Sequence, residues 1–376
     1  MHRGHKSLGV RKKIAIVCIL LPLEILLVNW MKSNADWVEK YYSQGVYPFI
    51  SKTLRFLTGW TSISFGSFII TALVITILYW LIRSILKLRK KHLTGWQFLG
   101  SALLNGTLVY TIIYGWFLMS WGFNYFRTPL VQKLELDTNN IEAIELKELS
   151  EELVLSCNTL RTELSEYEEL PLTDEQIRNS AYKGYDGLYE SFNVPALEFQ
   201  SIKSPLFSDL FSYLSISGIY SMITGEALVN AGPPNFHMPF TATHEIAHQI
   251  GFGSEQEANF LAYLACENHP DPSFRYSGSI RALRYTMRAL YWADSSSYNT
   301  LSETVLPQVK DDMRVVSEYW GKYDNPFEVV SDWIYDRYLK ANAQSAGIRS
   351  YALVVRLLIG NERKKKQKSP ELLNDL

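Results

Sequence analysis

Residues 243–259 read THEIAHQIGFGSEQEAN. Positions four apart on a helix share a face, so His244 and His248 present two imidazoles to one point. Glu245 is adjacent and can reach a water held there. This is the HExxH arrangement, two metal ligands and a general base. Such a string arises by chance in about one chain per hundred of this length. The competing reading is an amphipathic helix with polar residues on its outer face. Residues 249–259 decide between them.

A catalytic zinc takes a third protein ligand and keeps a fourth position open. Gly251 and Gly253 supply a helix end and a tight reversal. Ser254 then reads as an N-cap, and Ser254 with Glu257 as a capping box, which gives Glu257 a structural task. Glu255 is left without one. At i+4 from it stands Asn259, polar in an otherwise apolar run. Glu255 as third ligand and Asn259 as support for a ligating imidazole account for both. His237 and His269 are the alternative ligands in this part of the chain. A closed structural zinc would need a Cys or His as fourth ligand, and neither Cys157 nor Cys266 has the local spacing.

Around this stretch the chain has 376 residues, room for two domains or for one domain and a membrane part. Its formal net charge of −1 gives no global basic field for nucleic acid. Three cysteines are too few for a disulfide scaffold, and a Cys157–Cys266 pair is open.

The first third predicts a membrane region, residues 1–129, with spans at about 14–30, 63–86 and 98–123. Tyr and Trp crowd the end of the third span, as an interfacial aromatic belt would. Arg11, Lys12 and Lys13 precede the first span, and Lys87, Arg89, Lys90 and Lys91 separate the second from the third. That bias predicts a cytoplasmic N-terminus and 87–93 loop, with everything after Phe126 outside the cytoplasm of a bacterial cell. The first span also reads as a signal peptide with a cleavage site near Ala35, which leaves the orientation unchanged.

Residues 130–376 read as one domain. Ile141, Ile144, Leu149, Leu153, Cys157, Leu160 and Leu164 mark a helical stripe, and Thr173–Gln176 a capping box. Gly218–Thr224 and Ala227–Asn230 predict two strands joined at Gly225-Glu226, and from Pro239 the pattern is mostly helical. The basic run Arg363–Lys368 reads as a solvated, frayed tail. The expected fold class is α+β, mostly helical: a bundle of three transmembrane helices followed by a zincin-like metallopeptidase domain.

HEIAH followed by Glu255-Gln256-Glu257-Ala258-Asn259 resembles the glutamate-zincin pattern, HExxH and a later ExxA(D/N), in which the first Glu of the second motif binds zinc. The layout, with Trp121-Gly122-Phe123-Asn124-Tyr125 and Phe274-Arg275-Tyr276-Ser277-Gly278, resembles a bacterial domain-of-unknown-function family of membrane-anchored zinc-peptidase-like proteins. The six-residue spacer between His248 and Glu255 is shorter than in many glutamate zincins. Ser254 occupies the position where a metzincin has its third histidine, so that variant fails. Zincins stabilise the oxyanion with a Tyr, His or Arg outside the motif, which makes Tyr276 the candidate here.

The expectation is a membrane-anchored zinc peptidase. Its metal ligands are His244, His248 and Glu255, its base is Glu245, and its substrate is a peptide or protein near the bilayer. The edge of the Gly218–Thr224 strand is a place for that peptide to align. The alternative is a non-catalytic surface or scaffold protein in which zinc only stabilises the domain.

Overall fold

The computed structural model describes residues 2–89, 95–166, 172–192, 197–342 and 353–374. It is mostly helical, and the polypeptide opens with long apolar helices. They are α1 (His2–Lys32), α3 (Phe65–Arg89) and α4 (Gly95–Ser120), with α2 (Tyr47–Thr58) between the first two. Segments Gly9–Lys32, Phe65–Leu86 and Gly95–Ser120 are long and apolar enough to cross a membrane. Residues 90–94 of the basic connection between α3 and α4 lie outside the described residues.

The third segment ends earlier than the sequence suggests, at Ser120; within it Tyr110 and Trp116 stay exposed, as a belt would, while the aromatics past its end turn inward. Trp121, Phe123, Tyr125 and Phe126 lie in and beside a 3-10 turn, Gly122–Phe126, and all are buried. They pack inward on Tyr42, Tyr220, His248 and Tyr338. An aromatic run at a span end can face lipid or the neighbouring domain, and composition does not separate the two.

The rest of the chain supplies α5 (Ala143–Glu166), α6 (Met238–Gln249), α7 (Glu255–Asn268), α8 (Pro272–Ala293), α9 (Pro307–Gly321), α10 (Pro326–Ala341) and α11 (Val354–Asn374). Helix α5 follows the predicted stripe, burying Leu149, Leu153, Cys157 and Leu160. Thr173 and Gln176 make the predicted capping box. The 363–368 run is not frayed. It continues α11, where Arg363 pairs with Glu145 and Lys366 with Glu148 on α5. Cys157 and Cys266 are both buried free thiols.

Three short strands form one sheet in the order β1-β3-β2: β1 (Ile202–Lys203), β2 (Gly218–Ser221) and β3 (Glu226–Val229). Strand β3 is central, antiparallel to β2 and parallel to β1, a strand too short to be read from sequence. Strand β2 ends at Ser221 rather than Thr224, because Gly225 at φ +70° closes a turn onto the Ser221 carbonyl. This leaves β2 at the sheet edge.

Two buried ion-pair clusters join the membrane-type helices to this domain. Lys203 pairs with Glu226, and Glu226 accepts backbone N–H groups of Phe65 and Gly66 at the start of α3. Those groups have no partner within their own helix, so the carboxylate caps it. Arg127 and Lys133 pair with Glu39.

Candidate metal centre

Helix α6 carries His244, Glu245 and His248, and α7 carries Glu255. Small residues set their distance. Thr243, Ala247, Ala258 and Ala262 are fully buried, and Thr243 Oγ1 comes within 3.4 Å of the Ala262 carbonyl. A larger side chain there would push the helices apart and take Glu255 away from the imidazoles.

One ligand atom from each of His244, His248 and Glu255 lies within 4.8 Å of the others. The two Nε2 atoms are 3.1 Å apart. Glu255 approaches them at 3.4 Å (His244) and 3.6 Å (His248). Three donors converging from two helices is what a cation needs.

The tautomer of His248 is set by a turn. Gly251 has φ +91°, a left-handed conformation that glycine adopts without strain, and a Cβ there would meet Tyr47 at 2.9 Å. The reversal brings the Phe252 carbonyl 2.7 Å from His248 Nδ1. Nδ1–H donates to it, which leaves the Nε2 lone pair free for a metal. Helix α6 is anchored from outside its own domain as well. Trp121 Nε1 donates to the His248 carbonyl (2.9 Å), and the Tyr47 hydroxyl to that of Gln249 (2.7 Å).

Glu245 is buried, and its Oε2 has no hydrogen-bond partner. Burial, and then the charge of Glu255, push its carboxyl well above the usual range. Gly218 of β2 lies directly against it: a Cβ at 218 would come 2.5 Å from Glu245 Oε1. Burial also opposes the charge on Glu255, but the two imidazoles and a hydrogen bond from Tyr335 outweigh it and hold that carboxyl at about 2. His248 is pushed down to about 4, by burial first, so its ring is neutral and able to ligate.

Other expected site residues sit elsewhere. The Tyr276 hydroxyl donates to Asp312 (2.5 Å), tying α8 to α9, and Tyr276 does not join the trio. Tyr335 of α10 does, donating to Glu255 Oε1 at 2.7 Å. Eighty residues separate that pair, and no local pattern marks it. Asn259 accepts from Tyr285 (3.3 Å) and bonds neither imidazole, while its Nδ2 and His244 Nδ1 are both buried without partners. His269 uses both ring nitrogens, on the Asp271 N–H and the Ser180 carbonyl. His237 uses Nε2 to accept from Arg281. Neither is placed as a ligand.

The Ser254–Glu257 capping box does not form. Ser254 makes no side-chain cap, and Glu257 instead accepts the Leu130 N–H at 2.6 Å. Glu257 thus has a structural task, but at the start of the domain.

The chain belongs to the family described as Protein of unknown function (DUF3810), whose pattern matches residues 42–359. The match takes in α2, the trio and α10, and begins after α1. No curated protein and no solved structure matches the chain.

Proposed function

We propose that this chain is a zinc-dependent peptidase with a zincin-like domain held at a membrane by three helices. The observation that carries the reading is Glu245, next to the ligand His244: its Oε2 is buried without a partner and its Oε1 lies against Gly218 of the edge strand β2. A structural metal site has no use for such a group, since an unsatisfied buried acceptor costs about 1–3 kcal/mol. A general base does.

His244, His248 and Glu255 would hold the zinc. When bound there, zinc supplies an acidified water and a polarised carbonyl. The chain's own residues do the rest. The β2 edge aligns an extended peptide by backbone hydrogen bonds, and Gly218 lets that strand lie close against Glu245. Glu245 takes a proton from the attacking water and passes it to the leaving amine. Tyr335 orients Glu255 and replaces Tyr276 as the nearby phenol.

Contacts and charge together support one side of the membrane for the domain. Tyr47 and Ser51 of α2 donate to the Gln249 carbonyl of α6, so the segment before the second span shares a side with the trio. Arg11, Lys12, Lys13, Lys87 and Arg89 flank the opposite ends of the spans, and basic flanks stay in the cytoplasm. The trio then faces outward, one residue past the end of α4 through Trp121, and the substrate is a peptide or protein near the bilayer.

The test is cleavage of a peptide library, scored by mass spectrometry. Glu245→Gln should keep zinc and fold and lose about 10²- to 10⁴-fold in rate. Wild type that binds zinc, cuts nothing and is matched in cells by Glu245→Gln would leave the zinc-stabilised scaffold in its place.

A further inference from the structure

A second group of functional side chains lies on the same face of α6, two turns before His244. His237 precedes the helix by one residue, and a spacing of seven returns to nearly the same face. A small cavity opens there, and Phe236, His237, Phe240, Ser277, Arg281 and Arg284 line it. Both arginines are always charged in proteins.

No ion pair joins Arg281 or Arg284 to a carboxylate among the described residues. The acids of the facing helix α9 are engaged elsewhere: Asp312 with Arg161 and Tyr276, Asp311 with Arg314. Arg281 is held by rings instead, 5.5 Å from the centroids of both Phe240 and Tyr285. Its Nη1 donates to His237 Nε2 at 3.1 Å, and burial with the two guanidinium charges keeps His237 neutral. Neutral His237 therefore does not compete with the arginines as a cation. It keeps one guanidinium edge fixed and leaves the positive charge of the pair without a counter-ion among the described residues. The N-terminal end of α6 adds its partial positive charge at the same place.

The cavity also adjoins the metal centre. Arg281 Nε donates to the Tyr285 hydroxyl (3.0 Å), and that hydroxyl donates to Asn259. The Phe240 ring stacks on His244, 6.5 Å between centroids.

We propose that Arg281, Arg284 and His237 form a carboxylate-binding subsite for the peptide cleaved at the trio. Two helical turns rise about 11 Å, which an extended peptide covers in roughly three residues. The ligand is a peptide carboxylate about three residues from the scissile bond, supplied by its C-terminus or by an acidic side chain. The position of the ligand rests on the peptidase reading; its charge does not.

The test uses the full chain carrying Glu245→Gln, zinc-loaded in detergent, and three probes. They are N-acetyl-trialanine, its C-terminal amide, and N-acetyl-Ala-Ala-Asp amide, with binding read by calorimetry and by thermal shift. An acid probe should bind roughly 10- to 100-fold tighter than the trialanine amide, the worth of a charge-assisted hydrogen bond. Whichever acid probe gains identifies the source of the carboxylate. Arg284→Gln, at an exposed position, should keep the fold and abolish the difference, as should Arg281→Gln. Equal binding of acid and amide by the parent, or a preference that survives both substitutions, overturns the subsite. If no peptide is ever cut by the wild type, the peptidase reading fails separately, and the acid-against-amide comparison still decides the anion site.

Discussion

Glu255 and Glu257 stand two residues apart on α7, both buried, and face opposite clusters. On the Glu257 side, its carboxylate takes the Leu130 N–H, and Arg127 and Lys133 share Glu39. Arg127 also gives a hydrogen bond to the Gly251 carbonyl and stacks on Phe252. The charged groups there are answered within the fold. On the Glu255 side, His244 Nδ1, Glu245 Oε2, Ser254 Oγ and Asn259 Nδ2 are buried with no partner. Each such group costs stability, and these four fall within residues 244–259, the stretch that carries the trio. The first cluster holds the domain to the membrane-type helices, and the second, on the proposed reading, is left open for the metal and its substrate.

Arg127→Ala should break the closed side most severely. It leaves Glu39 buried with Lys133 as its one remaining cation among the described residues and Gln44 as a neutral donor, and breaking a buried pair costs about 3–5 kcal/mol. Thermal unfolding in detergent should show the loss. A variant as stable as wild type would mean that the closed cluster holds nothing together.

Tyr335→Phe probes the open side and should act in the opposite sense. It removes one hydroxyl from a partly exposed tyrosine, so stability should hold. Metal affinity should fall about 10- to 100-fold, as when a partner of a ligating group is lost. Titration with a zinc chelator measures this, and unchanged affinity would detach α10 from the centre.

Acid tests the closed side more gently. Burial opposes the charge on Glu39, but the Arg127 and Lys133 hydrogen bonds and charges outweigh it and hold its carboxyl at about 2. Lys133 is itself pushed down by burial and by Arg127, so Arg127 is the stronger partner. A carboxyl depressed in the folded state stabilises it above the unfolded value of about 4.3. That contribution is lost as pH falls from there through about 2. Below pH 4 the stability of wild type should therefore fall more steeply than that of Glu39→Gln. Parallel curves would contradict the pairing.

The open side is the more legible of the two in the sequence. HExxH and Glu255 lie within a dozen residues, and helical periodicity alone brings the histidines together. Thr173–Gln176 is legible for the same reason: an exposed cap with no competitor. Ser254–Glu257 carries the same kind of spacing and misleads. Glu257 is buried beside Leu130, 127 residues earlier in the chain, and that backbone N–H wins the carboxylate. Tyr335, Gly218 and the inward turn of Trp121 are hidden likewise. Each acts on a partner distant in sequence, and no period records that.

Zinc content of the purified full-length chain tests the central claim most directly, measured for wild type, Glu255→Gln and Glu257→Gln after removal of loosely bound metal. Stoichiometric zinc is expected in wild type and in Glu257→Gln, and its loss in Glu255→Gln. Wild type without zinc, or zinc lost with Glu257 and kept without Glu255, would contradict that claim.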